Sequence, residues 1–190
     1  MDIKIKPKFS LESIKEAQKI ELMERGSLIQ IKGISHASSD LEKANVAERQ
    51  ARAAKLVLNK FNCPVKIQTE YCDTLSIGSG ITLWAIFSKG EEIDFNNPII
   101  LGADCLGERG KRAEVVGQEA AEKLAKEIGS KAAVDMHLAD NLIPFLSIFG
   151  GRIKVSKISN HTLTNIYVCE KFFNGEFNVD KENNIISYSK

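Results

Sequence analysis

The chain has 190 residues and carries 26 Lys and Arg against 25 Asp and Glu, a formal net charge of +1. That balance excludes a strongly basic nucleic-acid binder and leaves room only for a local basic patch. A hydrophobic fraction of 43% is enough for a core and excludes wholesale disorder, and no apolar run is long enough to span a bilayer. The opening residues Met1-Asp2-Ile3-Lys4-Ile5-Lys6-Pro7-Lys8 lack the apolar centre of a signal peptide, so a soluble, cytoplasmic protein is expected. The cysteines stand at 63, 72, 105 and 169, with no CxxC pair and no zinc-like spacing, and are expected to be small buried apolar residues.

Ile3 and Ile5 alternate before Pro7, which predicts a short strand ending at the proline. Residues 20–33 read as one or two strands broken at Arg25-Gly26, with Leu28 to Ile31 as the best-formed part. His36 reads as a loop or cap residue. A helix is predicted from about Lys43 to Phe61, where Ala47, Ala51, Ala54 and Leu58 recur at spacings of three and four, and Cys63-Pro64 stops it. Val65, Ile67 and Thr69 alternate as a strand. Ile81 to Phe87 is apolar on both faces, as a central strand would be. Asn96-Asn97-Pro98 reads as a turn and Ile99 to Leu101 as a further strand.

The segment Gly102 to Arg112 is glycine-rich and then basic. It is not a P-loop, because Glu108-Arg109 stand where Lys and Ser or Thr are required. It is either a plain turn or a basic helix entrance able to meet a phosphate backbone. A helix from about Lys111 to Ile128 has Ala113, Val116, Ala120 and Leu124 along one side. A second, Ala132 to Phe149, ends at Gly150-Gly151. A strand from Arg152 to Ile158, a helix from His161 to Phe173 and two short strands after Gly175 complete the chain. The order predicts an α/β or α+β fold, helices packed on small mixed sheets. No internal repeat stands out.

Two places hold side chains able to do chemistry. His137, Asp140 and Asn141, at i, i+3 and i+4, share a helix face beside an apolar face of Val134, Leu138, Leu142, Phe145 and Phe149. A ring, a carboxylate and an amide suit a small polar ligand, or else form a solvated face. His161 stands at a strand-to-helix junction, where free backbone N–H groups can hold a phosphate. A neutral histidine there can attack phosphorus; a histidine there can also simply cap its helix.

Three pairs of segments together resemble a known family. They are Gly33-Ile34-Ser35-His36-Ala37 with Val46 to Ala53; Leu101-Gly102-Ala103-Asp104 with Gly107 to Glu114; and His137 to Leu142 followed by His161-Thr162-Leu163-Thr164-Asn165-Ile166. The chain is similar to RNA 3′-terminal phosphate cyclases, above all their archaeal forms, over nearly its whole length. The resemblance implies that His161 takes AMP from ATP as a covalent intermediate with a divalent metal (Mg or Mn) assisting, and that an RNA 3′-phosphate becomes a 2′,3′-cyclic phosphate. It implies an ATP-binding stretch at His137, Leu138, Ala139, Asp140 and Asn141. His137 would lie against adenine where bacterial members have tyrosine, Asp140 would orient the His161 ring, and Asn141 replaces a commoner glutamine. Residues 1–35 would be the tail of a core repeat, 36–130 an inserted βαβββα-like domain and 131–190 the last core repeat. The family's N-terminal repeats have no counterpart, so a fragment or one half of a split enzyme is expected, prone to self-association and inactive alone. The metal ligands are not identified. The alternatives are a non-catalytic relative acting in ribosome assembly and an RNA-binding fragment without ATP chemistry.

Overall fold

The computed structural model describes residues 18–90 and 98–189. The predicted strand at Ile3–Ile5 and most of the turn at Asn96–Pro98 lie outside these residues. The described residues fall into two compact units, one within residues 24–135 and the other of residues 18–23 with 136–189.

The 24–135 unit is a four-stranded sheet with its helices α1 and α2 packed on it. In chain order it contains β2 (Ser27–Ser38), α1 (Val46–Leu58), β3 (Val65–Cys72), β4 (Ser79–Ser88), β5 (Ile99–Leu106) and α2 (Ala113–Gly129). Short 3₁₀ turns at Ser39–Ala44 and Asn59–Phe61 flank α1. The sheet order is β3-β2-β4-β5, with β2 and β3 parallel and the remaining pairs antiparallel. β2 and β4 are the central strands, as the two-faced apolarity of Ile81 to Phe87 predicts.

Alternation decides which side of each strand faces the helices. Ile31, Ile67, Ile81, Leu83, Ala85, Phe87, Leu101 and Ala103 point into one core with Ala51, Ala54 and Leu58 of α1 and Val116, Ala120 and Leu124 of α2. The small residues of the helices permit close approach. At Gly117 an added Cβ would stand 2.0 Å from the Gln50 carbonyl oxygen, so no larger residue fits between α1 and α2 there. Arg25 donates to the Ile128 carbonyl at 2.6 Å and lies over the Phe87 ring at 4.4 Å. It thereby serves a terminal carbonyl of α2 that the helix leaves unpaired.

Four expectations are corrected here. β2 runs unbroken through Gly33 and His36, so no boundary falls at residues 35 and 36. It pairs with β3 from Ile31 to Ser38 and with β4 from Ser27 to Ala37, and cutting it there would open both ladders. His36 is accordingly a mid-strand residue opposite Glu70 and Gly80, not a loop or cap. β5 likewise continues through Gly102 to Leu106, so the glycine-rich turn begins only at Gly107. Of the cysteines, Cys105 and Cys169 are buried as expected, whereas Cys72 is exposed on the edge strand β3.

The second unit holds β1 (Ile20–Leu22), α3 (Met136–Phe149), β6 (Gly151–Lys154), α4 (Asn160–Phe172), β7 (Glu176–Asp180) and β8 (Ile185–Ser189), with sheet order β1-β6-β8-β7. β1 pairs in parallel with β6. At Gly151, φ is +119° and an added Cβ would stand 2.1 Å from the Ile20 carbonyl oxygen, so glycine is required at this crossing. α3 begins at Met136 rather than Ala132, and residues Ala132 to Val134 are buried non-helical chain. Its buried face is Ala139, Ile143, Leu146 and Ser147, while Leu138 and Phe145, members of the predicted apolar face, are exposed. No helix among the described residues is long and apolar enough to cross a membrane.

Candidate functional site

α4 begins one residue earlier than predicted, and its start explains where His161 stands. Ser159 is the N-cap, with φ −85° and ψ 165°. Its Oγ accepts from the Thr162 N–H at 3.0 Å, and Thr162 Oγ1 accepts from the Ser159 N–H at 3.3 Å. This is a capping box with threonine in the place of the usual Glu or Gln. His161 is thus the second residue of the helix. Its side chain is exposed, and its amide and that of Asn160 are first-turn donors with no place in the helix's own ladder.

The box is locked from α3. Both hydroxyls donate to the same carboxylate oxygen, Asp140 Oδ1: Ser159 Oγ at 2.9 Å, and Thr162 Oγ1 in a short hydrogen bond. Each hydroxyl therefore accepts one backbone N–H and donates to Asp140. Thr162 is wholly buried, so this link is shielded from water.

Asp140 is also tied through its backbone. Pro144 lies inside α3, four residues on, and has no N–H to give the Asp140 carbonyl. Asn165 Nδ2 of α4 donates to that carbonyl instead, at 2.9 Å. The helix break in one element is thus filled by a side chain from the other.

These contacts place the nominated residues. The segment 137–141 and the start of α4 come together at Asp140. Asp140 does not share an open face with His137 and Asn141. It is half-buried and holds the helix cap, so it fixes the backbone that carries His161 rather than the imidazole itself. Ala139 is fully buried, so its side chain is core and no ligand surface. Asn141 turns its amide onto the His137 carbonyl at 3.0 Å, inside its own helix. His137, Leu138 and Asn141 are exposed, on the outer side of α3 with Phe145. His36 lies in the other unit. Among the described residues, no group of three or more His, Cys, Asp and Glu side chains is placed to hold a metal ion.

Sequence reasoning missed Ser159, Thr162 and Asn165. Two signals were present. Ser-x-x-Thr ahead of a helix is a capping pattern, and a proline predicts an orphaned carbonyl four residues before it.

The 24–135 unit matches the model of a known domain: the insert domain of RNA 3′-terminal phosphate cyclase, over residues 23–129. The chain belongs to that family. The match starts beside the observed division at residue 24, and not at 36. Across both units the chain is 45% identical, over 172 residues, to an RNA 3′-terminal phosphate cyclase of Pyrococcus abyssi, covering 90% of this chain and 47% of that protein. The cyclase of Thermococcus kodakarensis is 47% identical over 151 residues, 79% of this chain and 41% of the relative. That of Saccharolobus solfataricus is 46% identical over 152 residues, 80% of this chain and 42% of the relative. The chain therefore spans rather less than half the length of these archaeal cyclases.

Proposed function

We propose that the chain supplies the nucleotidyl-transfer half of an ATP-dependent RNA 3′-phosphate cyclase. A ring nitrogen of His161 attacks the α-phosphorus of ATP. An N–P bond forms, the bond to the β-phosphate oxygen breaks, and pyrophosphate leaves. An oxygen of the RNA 3′-phosphate then takes the adenylyl group and frees the histidine. The neighbouring 2′-hydroxyl attacks the terminal phosphorus, loses its proton to solvent and expels AMP, which closes the 2′,3′-cyclic phosphate.

One observation supports this reading above others: Asp140 holds both hydroxyls of the α4 capping box, while the His161 ring remains exposed. A nucleophile gains from a fixed backbone and an open approach, whereas a residue that only caps needs neither. The amides of Asn160 and His161 can receive phosphate oxygens. His137, exposed three residues before Asp140, offers a ring for the adenine. A divalent metal, Mg or Mn, would assist by neutralising charge on the phosphates; among the described residues no group of three or more His, Cys, Asp and Glu side chains is placed to hold it.

His161 does not suffice by itself, since phosphate must also be held in line with it. The relatives are about twice as long as the matched region, and the remaining contacts are assigned to the part not covered here. The test mixes the chain with the uncovered portion of the Pyrococcus abyssi relative and follows label from α-labelled ATP into protein. The label should survive alkali and be lost in acid. His161→Ala should abolish it and His36→Ala should leave it nearly intact. His137→Tyr should keep ATP binding, and His137→Ala should weaken it by about 1–3 kcal/mol, a stacking contribution. Acid-stable label, or label in His161→Ala, rejects the assignment. RNA binding without any label favours the non-catalytic relative.

A further inference from the structure

A cavity of about 510 Å³ opens in the 24–135 unit, where the turn after β5 meets the start of α2. Its walls carry Arg49, Arg109, Lys111 and Arg112 against one acid, Glu108. Two of these cations are already spoken for. Arg49 donates to both Glu114 carboxylate oxygens, at 2.8 and 3.0 Å, and Lys111 to Glu119 at 2.6 Å. Arg112 reaches Glu114 only at 3.7 Å and is three-quarters exposed. Arg109 is exposed and has no carboxylate partner among the described residues. Two arginines thus face the opening with donors to spare.

The floor is rigid, which a loose charged loop would not be. Gly107 N–H donates to the Ser79 carbonyl at 2.8 Å, and a Cβ on Gly107 would come within 2.2 Å of Ser79 Oγ. Ser79 Oγ accepts from Gln50 Nε2 at 2.9 Å, and Gln50 Oε1 accepts from Ser35 Oγ at 2.9 Å. Gln50 and Ser35 are fully buried. A buried polar chain of this kind has few alternative arrangements. It leaves the Ser79 hydroxyl hydrogen, at the cavity wall, available to an acceptor oxygen.

We infer that this cavity is a second phosphate site, which grips the sugar–phosphate backbone of a single RNA strand away from the reacting 3′ end. Two arginine forks and a hydroxyl suit phosphodiester oxygens. Nothing in the wall reads bases, so the grip is independent of sequence. This rests on the reading that the substrate is RNA, but it requires no nucleotidyl transfer.

The experiment uses the full chain and a 5′-fluorescein oligoribonucleotide ending in a 3′-hydroxyl, followed by anisotropy across a salt series. Arg109→Glu with Arg112→Glu should weaken binding at least tenfold and reduce the slope of log K against log salt by about 1.4, two single-strand phosphate contacts. Lys60→Glu with Lys66→Glu, the same charge change outside the cavity, should shift binding less than threefold. Arg109→Gln with Arg112→Gln guards against misfolding and should follow the same direction. Equal weakening by the two glutamate pairs would mean diffuse attraction and overturn the site, as would no change in the arginine variants or no binding by the unaltered chain. Loss of His161 labelling in the other assay would reject the nucleotidyl-transfer reading and leave this result standing.

Discussion

The two units solve the burial of apolar surface differently. The 24–135 unit packs two helices onto a four-stranded sheet, and its core is continuous from Ile31 through Leu124. The other unit buries Ile143, Leu146, Ile153 and Ile186 and exposes aromatic rings, Phe145 at 51% and Phe172 at 80% with Tyr167, beside Leu138 and Val168, whereas the large side chains exposed by the 24–135 unit, such as Leu56, Leu75, Ile77 and Leu106, are aliphatic. On α4 the spacing His161, Val168, Phe172 is one stripe, and on α3 His137, Asn141, Pro144 and Phe145 share the outer side. Apolar surface that continues from His161 along its helix suits a face covered by a further segment, as the proposed function requires. The insert, by contrast, has the core of an independently stable domain.

The contrast is broken most directly at two phenylalanines. Phe87 is 2% exposed and touches the insert core, so Phe87→Ala should cost about 3–5 kcal/mol in chemical denaturation of that unit. Phe145→Ala, on a half-exposed ring, should leave the unfolding of the second unit within about 0.5 kcal/mol. Comparable losses at the two positions would show that α3 is already covered.

Most of the elements were legible in the sequence because their periodicity is local. Ala47, Ala51, Ala54 and Leu58 announce α1 and its buried face, and Ala113, Val116, Ala120 and Leu124 do the same for α2. The start of the insert was not legible, because it depends on the registers of β2 with β3 and β4. The role of Asp140 was hidden for a similar reason: its partners lie 19, 22 and 25 residues further along the chain. A carboxylate at i+3 from a histidine looks like a surface neighbour until the second helix is placed against it.

That hidden link is the next point of test. Asp140→Ala leaves a buried threonine hydroxyl without its acceptor and should cost about 1–3 kcal/mol in the second unit. Hydrogen exchange at Leu163 and Thr164 should accelerate with it. Asn165→Ala should cost a similar amount by orphaning the Asp140 carbonyl. In a Pro144→Ala background the helix can supply that hydrogen bond itself, so Asn165→Ala should become nearly neutral. A loss of equal size in both backgrounds would separate Asn165 from the proline break.

Self-association probes the open face more gently. Phe145→Ser with Phe172→Ser should shift the 190-residue chain toward monomer in sedimentation and leave its circular dichroism unchanged. Unaltered association would place the sticky surface elsewhere, for instance on Leu56 or Leu106 of the insert, which are also exposed.

The smallest effect belongs to the insert surface and concerns acid. The Arg49 guanidinium, hydrogen-bonded to Glu114, holds that carboxyl down at about 2, from an ordinary value of 4.5. A depressed carboxyl stabilises the folded state fully above its unfolded value and loses that contribution as pH falls through its folded one. The contribution of Glu114 is therefore present above about pH 4.5 and disappears toward pH 2. The pair is solvent-exposed, so added salt should shrink it. In Glu114→Gln, thermal stability of the insert should be slightly lower at neutral pH and should fall less steeply between pH 4.5 and 2. Parallel curves for the two proteins across that interval would mean that the ion pair, though well formed, is matched by an equal interaction in the unfolded chain.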